Sequence, residues 1–190
     1  MKKSKIVIVD YKVGNINSVF NAIKQLNYNV IISNKEEEID SADALILPGV
    51  GAFKEAISNL KSLSLIPILE NSALIKKKPI LGICIGMQLL ANKSEENGIH
   101  TGLGWIPGLV KEIEQTKGIL VPHVGWNEIN KKNGEKIFFS NNDMPDPNFY
   151  WDHSFHFECE NKYKLATVNY GSEISAIVGK DNVFGVQFHP

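Results

Sequence analysis

Short β-branched runs alternate with helical spacing through the first half of the chain. Residues 5–10 (KIVIVD) read as a buried strand. After a turn over 11–15, Ile16, Val19, Phe20, Ile23 and Leu26 recur at three- and four-residue steps, which predicts an amphipathic helix. Asn29–Ser33 and Ala44–Leu47 read as the next two strands, the latter stopped by Pro48-Gly49, with Glu36-Glu37-Glu38 between them as a solvated loop. Phe53, Ala56, Ile57 and Leu60 repeat the helical step, and a further apolar stretch reaches Ile75. The Lys76-Lys77-Lys78 run suits a solvated helix end, where cations complement the dipole. Residues 79–83 then form a strand running straight into Cys84. Strand–helix–strand alternation with such crossovers predicts a parallel sheet covered on both faces.

The second half carries little helical spacing after about residue 95. Runs at 105–113, 119–121, 137–139, 149–159, 165–170, 174–178 and 183–188 read as strands between Gly, Asn and Pro turns. The prediction is an α/β fold: a central, mostly parallel sheet flanked by helices, with additional antiparallel strands in the second half. No repeat, low-complexity tract or linker divides residues 1–190, so one domain is expected.

Composition narrows the function classes. A formal net charge of −1 over 190 residues gives no general drive toward nucleic acid or an anionic membrane. The basic start is followed by an apolar run far too short for a signal peptide or a span, so a soluble cytoplasmic protein is expected. Two cysteines, Cys84 and Cys159, make neither a disulfide framework nor a four-ligand metal site. All 20 basic residues are Lys, so a bound anion meets point charges or backbone N–H groups rather than a guanidinium fork. Walker and dinucleotide-binding fingerprints are lacking, and no cofactor or metal is expected.

Candidate chemistry gathers at Gly82-Ile83-Cys84-Ile85-Gly86, where a strand meets a helix. This is the nucleophile-elbow pattern with Cys in place of Ser. Glycines two before and two after permit the sharp turn. The helix dipole is expected to lower the thiol pKa, and the Ile85 N–H to be free for an oxyanion. A buried structural cysteine fits the same five residues. Pro48-Gly49-Val50-Gly51 ends another strand and offers further amides, while Gln187-Phe188-His189-Pro190 puts an imidazole at a strand's carboxyl edge, where chemistry collects in open parallel sheets. Cys84 and His189 are thus expected on one rim as nucleophile and general base. If 149–159 is a single strand, alternation puts His153 on a core-like face with Phe155 and Phe157, and His156 on the opposite one.

These segments, read on through Met87-Gln88-Leu89-Leu90, resemble the class I, triad-type glutamine amidotransferases. Asp10-Tyr11, Gly14-Asn15, residues 102–108 (GLGWIPG) and 122–127 (PHVGWN) are similar to the glutaminase subunits of imidazole glycerol phosphate synthase. The resemblance implies hydrolysis of glutamine to glutamate and ammonia through a Cys84 thioester, with His189 moving the proton. It implies an oxyanion hole from Gly49, Val50, Gly51 and Ile85, and glutamine held by Gln88, His153, Ser154 and Phe155. Asn15, His123, Trp126, Asn127 and Tyr150 are implied to face a barrel-shaped cyclase subunit in a heterodimer. Ammonia passed to it would yield imidazole glycerol phosphate and an aminoimidazole carboxamide ribotide in histidine biosynthesis.

Some residues depart from the family pattern. That pattern continues His-Pro-Glu, and the sequence stops at Pro190, so a truncated chain with weak glutaminase activity is expected; Asp152 is a candidate substitute carboxylate. Trp151, Asp152, Phe155 and Lys12 also differ from the usual residues near the partner-facing region. Three rival readings stay open: a paralogous glutaminase feeding a sugar amidotransferase in surface polysaccharide synthesis, a Cys-elbow peptidase or chaperone, and a non-catalytic binding module.

Overall fold

The computed structural model describes residues 4–116, 118–131 and 148–190. In chain order the strands are β1 (Lys5–Val9), β2 (Asn29–Ser33), β3 (Ala44–Leu47), β4 (Ile80–Ile83), β5 (Lys93–Ser94), β6 (His100–Thr101), β7 (Leu109–Glu112), β8 (His123–Glu128), β9 (Asn130–Lys131), β10 (Asn148–His153), β11 (Phe155–Glu158), β12 (Lys164–Tyr170), β13 (Ser172–Lys180) and β14 (Val183–Val186). The α-helices are α1 (Ile16–Gln25), α2 (Glu36–Asp40), α3 (Phe53–Ser62), α4 (Leu65–Glu70) and α5 (Ile85–Leu89). A π-helical turn, Asn71–Ile75, continues α4.

The central sheet has the order β2-β1-β3-β4-β14-β13-β12-β9. From β2 to β14 every pairing is parallel, and from β14 outward every pairing is antiparallel. Val7, Ile8, Val9, Leu45, Leu47, Ala176, Ile177 and Val178 are nearly solvent-free, as strands covered on two faces require. A two-stranded sheet (β10-β8) and a four-stranded one (β11-β7-β5-β6) lie beside it. No described helix is long and apolar enough to cross a membrane.

The expected α/β architecture stands, with three local corrections. Glu36-Glu37-Glu38 opens helix α2, its carboxylates in the first turn where the dipole favours them. Beyond it, Lys76 pairs with Asp40, and Lys78 donates to the Ile39 and Asp40 carbonyls at the helix's end. Residues 119–121 form no strand. The expected single strand over 149–159 breaks at Ser154, where the chain leaves β8 for β7. Because the alternation resets there, His156 is buried beside Phe157 rather than turned outward. The expected strand at 137–139 lies outside the described residues.

Candidate active site

Two neighbouring parallel strands bring the candidate groups together. In the β4–β14 register Ile83 lies opposite Val186, and the Cys84 N–H donates to the Val186 carbonyl at 2.8 Å. Cys84 therefore leaves the sheet one residue past β4, and His189 just past β14, at the same carboxyl edge. The His189 N–H donates to the Tyr150 carbonyl at 3.0 Å, pinning that end of the chain to β10.

The elbow is a backbone device. Cys84 has φ 54° and ψ −111°, outside the regions open to an unstrained L-residue. The flanking glycines make it feasible. A Cβ on Gly86 would sit 1.7 Å from the Leu47 carbonyl oxygen, and one on Gly82 would sit 2.5 Å from the Gly86 carbonyl oxygen. Tyr11, fully buried, donates its hydroxyl to the Pro48 carbonyl and fixes the loop opposite.

Cys84 and His189 line one cavity of about 280 Å³, together with Val50, Gly51, Ile85, Gln88, His153, Ser154 and Phe155. Glu96, Pro122 and Asp152 complete the wall. Gly49 faces a small adjoining recess instead. Asn15, Trp126 and Tyr150 line a second cavity, of about 380 Å³, which shares Val50, Asp152 and His189 with the first. Trp126 is 71% exposed there and packs edge-on against Tyr150, ring centroids 5.9 Å apart.

His123 corrects an expectation. Anticipated at a partner surface, it is 2% exposed, stacked between Trp151 and Tyr170. Strand alternation explains this: β8 turns His123 inward while Val124 faces out. Asn127 is half-buried, its side chain turned toward His123 at 3.4 Å.

Electrostatics revise the expected thiolate. Burial pushes the Cys84 thiol up to about 12, and the nearby Asp152 charge adds to the rise. The Ile85 N–H and the Gln187 amide, which donate to the sulfur, offset only part of it. The resting group is a thiol, and the Ile85 amide is engaged by the sulfur rather than free. His189 is lowered from the usual imidazole range by burial, against an upward pull from Asp152, so it is a neutral base at pH 7.

Two groups escaped sequence reasoning. Glu96 follows β5, and its Oε2 accepts the Phe53 N–H at 2.7 Å while its side chain borders the cavity. Nothing in its local spacing signals that role. Gln187 donates Nε2 to the Cys84 sulfur at 3.7 Å; its place in the Gln-Phe-His-Pro run was the available signal. Gln88 is also oriented. Its Nε2 donates to the Phe155 carbonyl at 3.0 Å and to Gln187 Oε1 at 3.1 Å, which leaves its buried Oε1 without a partner among the described residues.

A strained cysteine elbow and a histidine at adjacent carboxyl ends of a parallel sheet have the arrangement that a nucleophilic hydrolase requires. The profile of the family "Glutamine amidotransferase class-I" matches residues 7–190, and the chain belongs to that family. It is 47% identical over 187 residues to the imidazole glycerol phosphate synthase subunit HisH 2 of Vibrio vulnificus, covering 98% of this chain and 86% of that one. It is 46% identical over 189 residues to the HisH subunit of Bdellovibrio bacteriovorus, covering 97% and 91%. Among solved structures, a glutamine amidotransferase from Thermotoga maritima superposes with a TM-score of 0.68 at 17% identity. That match spans all of this chain and 76% of the other, and it shows a shared fold.

Proposed function

We propose that the chain is the glutaminase subunit of an imidazole glycerol phosphate synthase, hydrolysing glutamine and supplying ammonia for histidine biosynthesis. The observation that carries this reading is the shared cavity of Cys84 and His189 at neighbouring strand ends. Relatives at 41–47% identity named as subunits of that synthase favour it over a sugar-amidating paralogue.

In the proposed cycle His189 takes the Cys84 proton as sulfur attacks the side-chain amide carbon of glutamine. A thiol held up near 12 makes this transfer part of the attack rather than a prior ionisation. The oxyanion is held by amides of the 49–51 loop and of Ile85, which must turn from the sulfur as the C–S bond forms. Collapse breaks the C–N bond, and the His189 imidazolium gives its proton to the departing ammonia. Water, deprotonated by His189, then cleaves the thioester, releasing glutamate and the thiol. The free Oε1 of Gln88 and the Glu96 carboxylate supply acceptors for the substrate's ammonium group.

We assign a barrel-shaped cyclase subunit to the face bearing Asn15, Trp126 and Tyr150. The second cavity there adjoins the reaction cavity through His189 and Asp152, a short course for ammonia. An exposed Trp beside a Tyr is the anchor chemistry protein interfaces favour. The cytoplasm is the compartment that suits a subunit of a biosynthetic enzyme of this kind. The test is glutamate release with the cyclase subunit present. Cys84→Ala abolishes it, a loss of roughly a thousandfold or more; activity retained in that variant overturns the assignment.

A further inference from the structure

A chain of four hydrogen-bonding groups runs from β8 to the floor of the reaction cavity, and its direction is fixed at both ends. At the cavity end, His153 Nδ1 lies 2.8 Å from the Phe155 carbonyl, which only accepts, so Nδ1 carries the proton. Burial holds both histidines neutral at pH 7. His153 Nε2 is therefore an acceptor, and His123 Nδ1, 3.0 Å away, must donate to it. That leaves His123 Nε2 as an acceptor for the Asn127 amide at 3.4 Å. The far end agrees independently: Asn127 Oδ1 accepts the Glu128 N–H at 3.0 Å, so the nitrogen of that amide is the atom turned to His123.

The Phe155 carbonyl that anchors this chain also receives Gln88 Nε2, and Gln88 in turn meets Gln187, which donates to the Cys84 sulfur. We propose that His123, which stands behind the cavity wall rather than in it, is a positioning residue for substrate glutamine: by donating to His153 it locks the tautomer that holds the Phe155 carbonyl and, through it, the Gln88 amide. Without that donor, neutral His153 keeps a buried lone pair unpaired or shifts its proton to Nε2. The shift would set the bare Nδ1 against the Phe155 oxygen, two acceptors face to face. Either outcome displaces the carbonyl that Gln88 shares. This inference rests on the glutaminase reading above.

Two substitutions separate hydrogen bonding from packing. His123→Phe keeps an aromatic ring between Trp151 and Tyr170 and removes the donor; His123→Asn removes the ring and returns a donor nitrogen at the Nδ1 position. In the complex with the cyclase subunit, H123F is expected to raise the glutamine KM about tenfold while keeping its melting temperature. H123N is expected to hold KM within about threefold of wild type and to melt lower. Nitrogen-15 NMR of the unaltered protein at pH 7 is expected to show both His123 and His153 as neutral Nδ1–H tautomers. An Nε2–H tautomer at His153 overturns the inference, as does H123F with unchanged KM or H123N with a KM as high as H123F. Lack of Cys84-dependent glutamine hydrolysis in the unaltered complex would overturn the functional reading instead, and the tautomer result would distinguish the two failures.

Discussion

The parallel half around Cys84 and the antiparallel region around His153 hold their polar groups by different means. At Cys84 the backbone does the work: a φ of 54°, glycines on both sides, and a carbonyl 1.7 Å from where a Gly86 methyl would stand. At His153 side chains do it, through His123, Asn127 and a stack of Trp151 and Tyr170 gathered from three strands. A backbone device is local and all-or-none. A side-chain network is long-range, titratable and able to fail by degrees.

The sharpest break of this contrast is one methyl group. Gly86→Ala must displace the Leu47–Pro48 backbone, and none of the nearest atoms belongs to a flexible side chain that could give way. We expect a stability loss of several kcal/mol with collapse of the elbow, read by chemical denaturation and by loss of glutamine hydrolysis. A normally folded, active variant would show that the elbow is less constrained than its contacts indicate.

Acid should find the other region first. Burial lowers His123 to about 4, His153 to about 3 and His156 to about 4, from an ordinary value of 6.5. Between those limits the unfolded chain binds more protons than the folded one. The associated stability is therefore complete above about pH 6.5 and is lost as pH falls toward 4, a loss on the order of several kcal/mol. Denaturation midpoints across pH 7 to 4 test this; a flat profile would mean these histidines are solvated in the native state.

How much of each region could be read from sequence follows the same divide. In the parallel half, β2 and β3 fall on their predicted bounds, and the elbow glycines announced Cys84, because period and turn chemistry are local signals. The break at Ser154 was illegible: the residues on either side are strand-like, and only the switch of partner from β8 to β7 ends the run. His123 was misplaced for a similar reason. Its motif marks a family, while its burial depends on Trp151 and Tyr170, distant in sequence. Glu96 lacked any signal, since its role arises from the distant N-terminus of α3.

A smaller effect probes the seam between the two regions. Asp152, on β10, borders both cavities and pulls the proton affinities of Cys84 and His189 upward. Asp152→Asn removes that pull, so the acid limb of kcat/KM moves to lower pH. Side-by-side pH–rate profiles check the direction, and a limb moved to higher pH would mean that Asp152 does not act on His189 through its charge.

In the proposed reaction one sulfur and one imidazole act together on glutamine in the cavity that Cys84 and His189 line. Labelling with an electrophilic diazoketone analogue of glutamine, followed by peptide mass analysis, tests it most directly. The expected result is modification at Cys84 and not at Cys159, blocked by excess glutamine and strongly slowed in His189→Ala. Equal labelling of both cysteines, indifferent to glutamine and to His189, would contradict it.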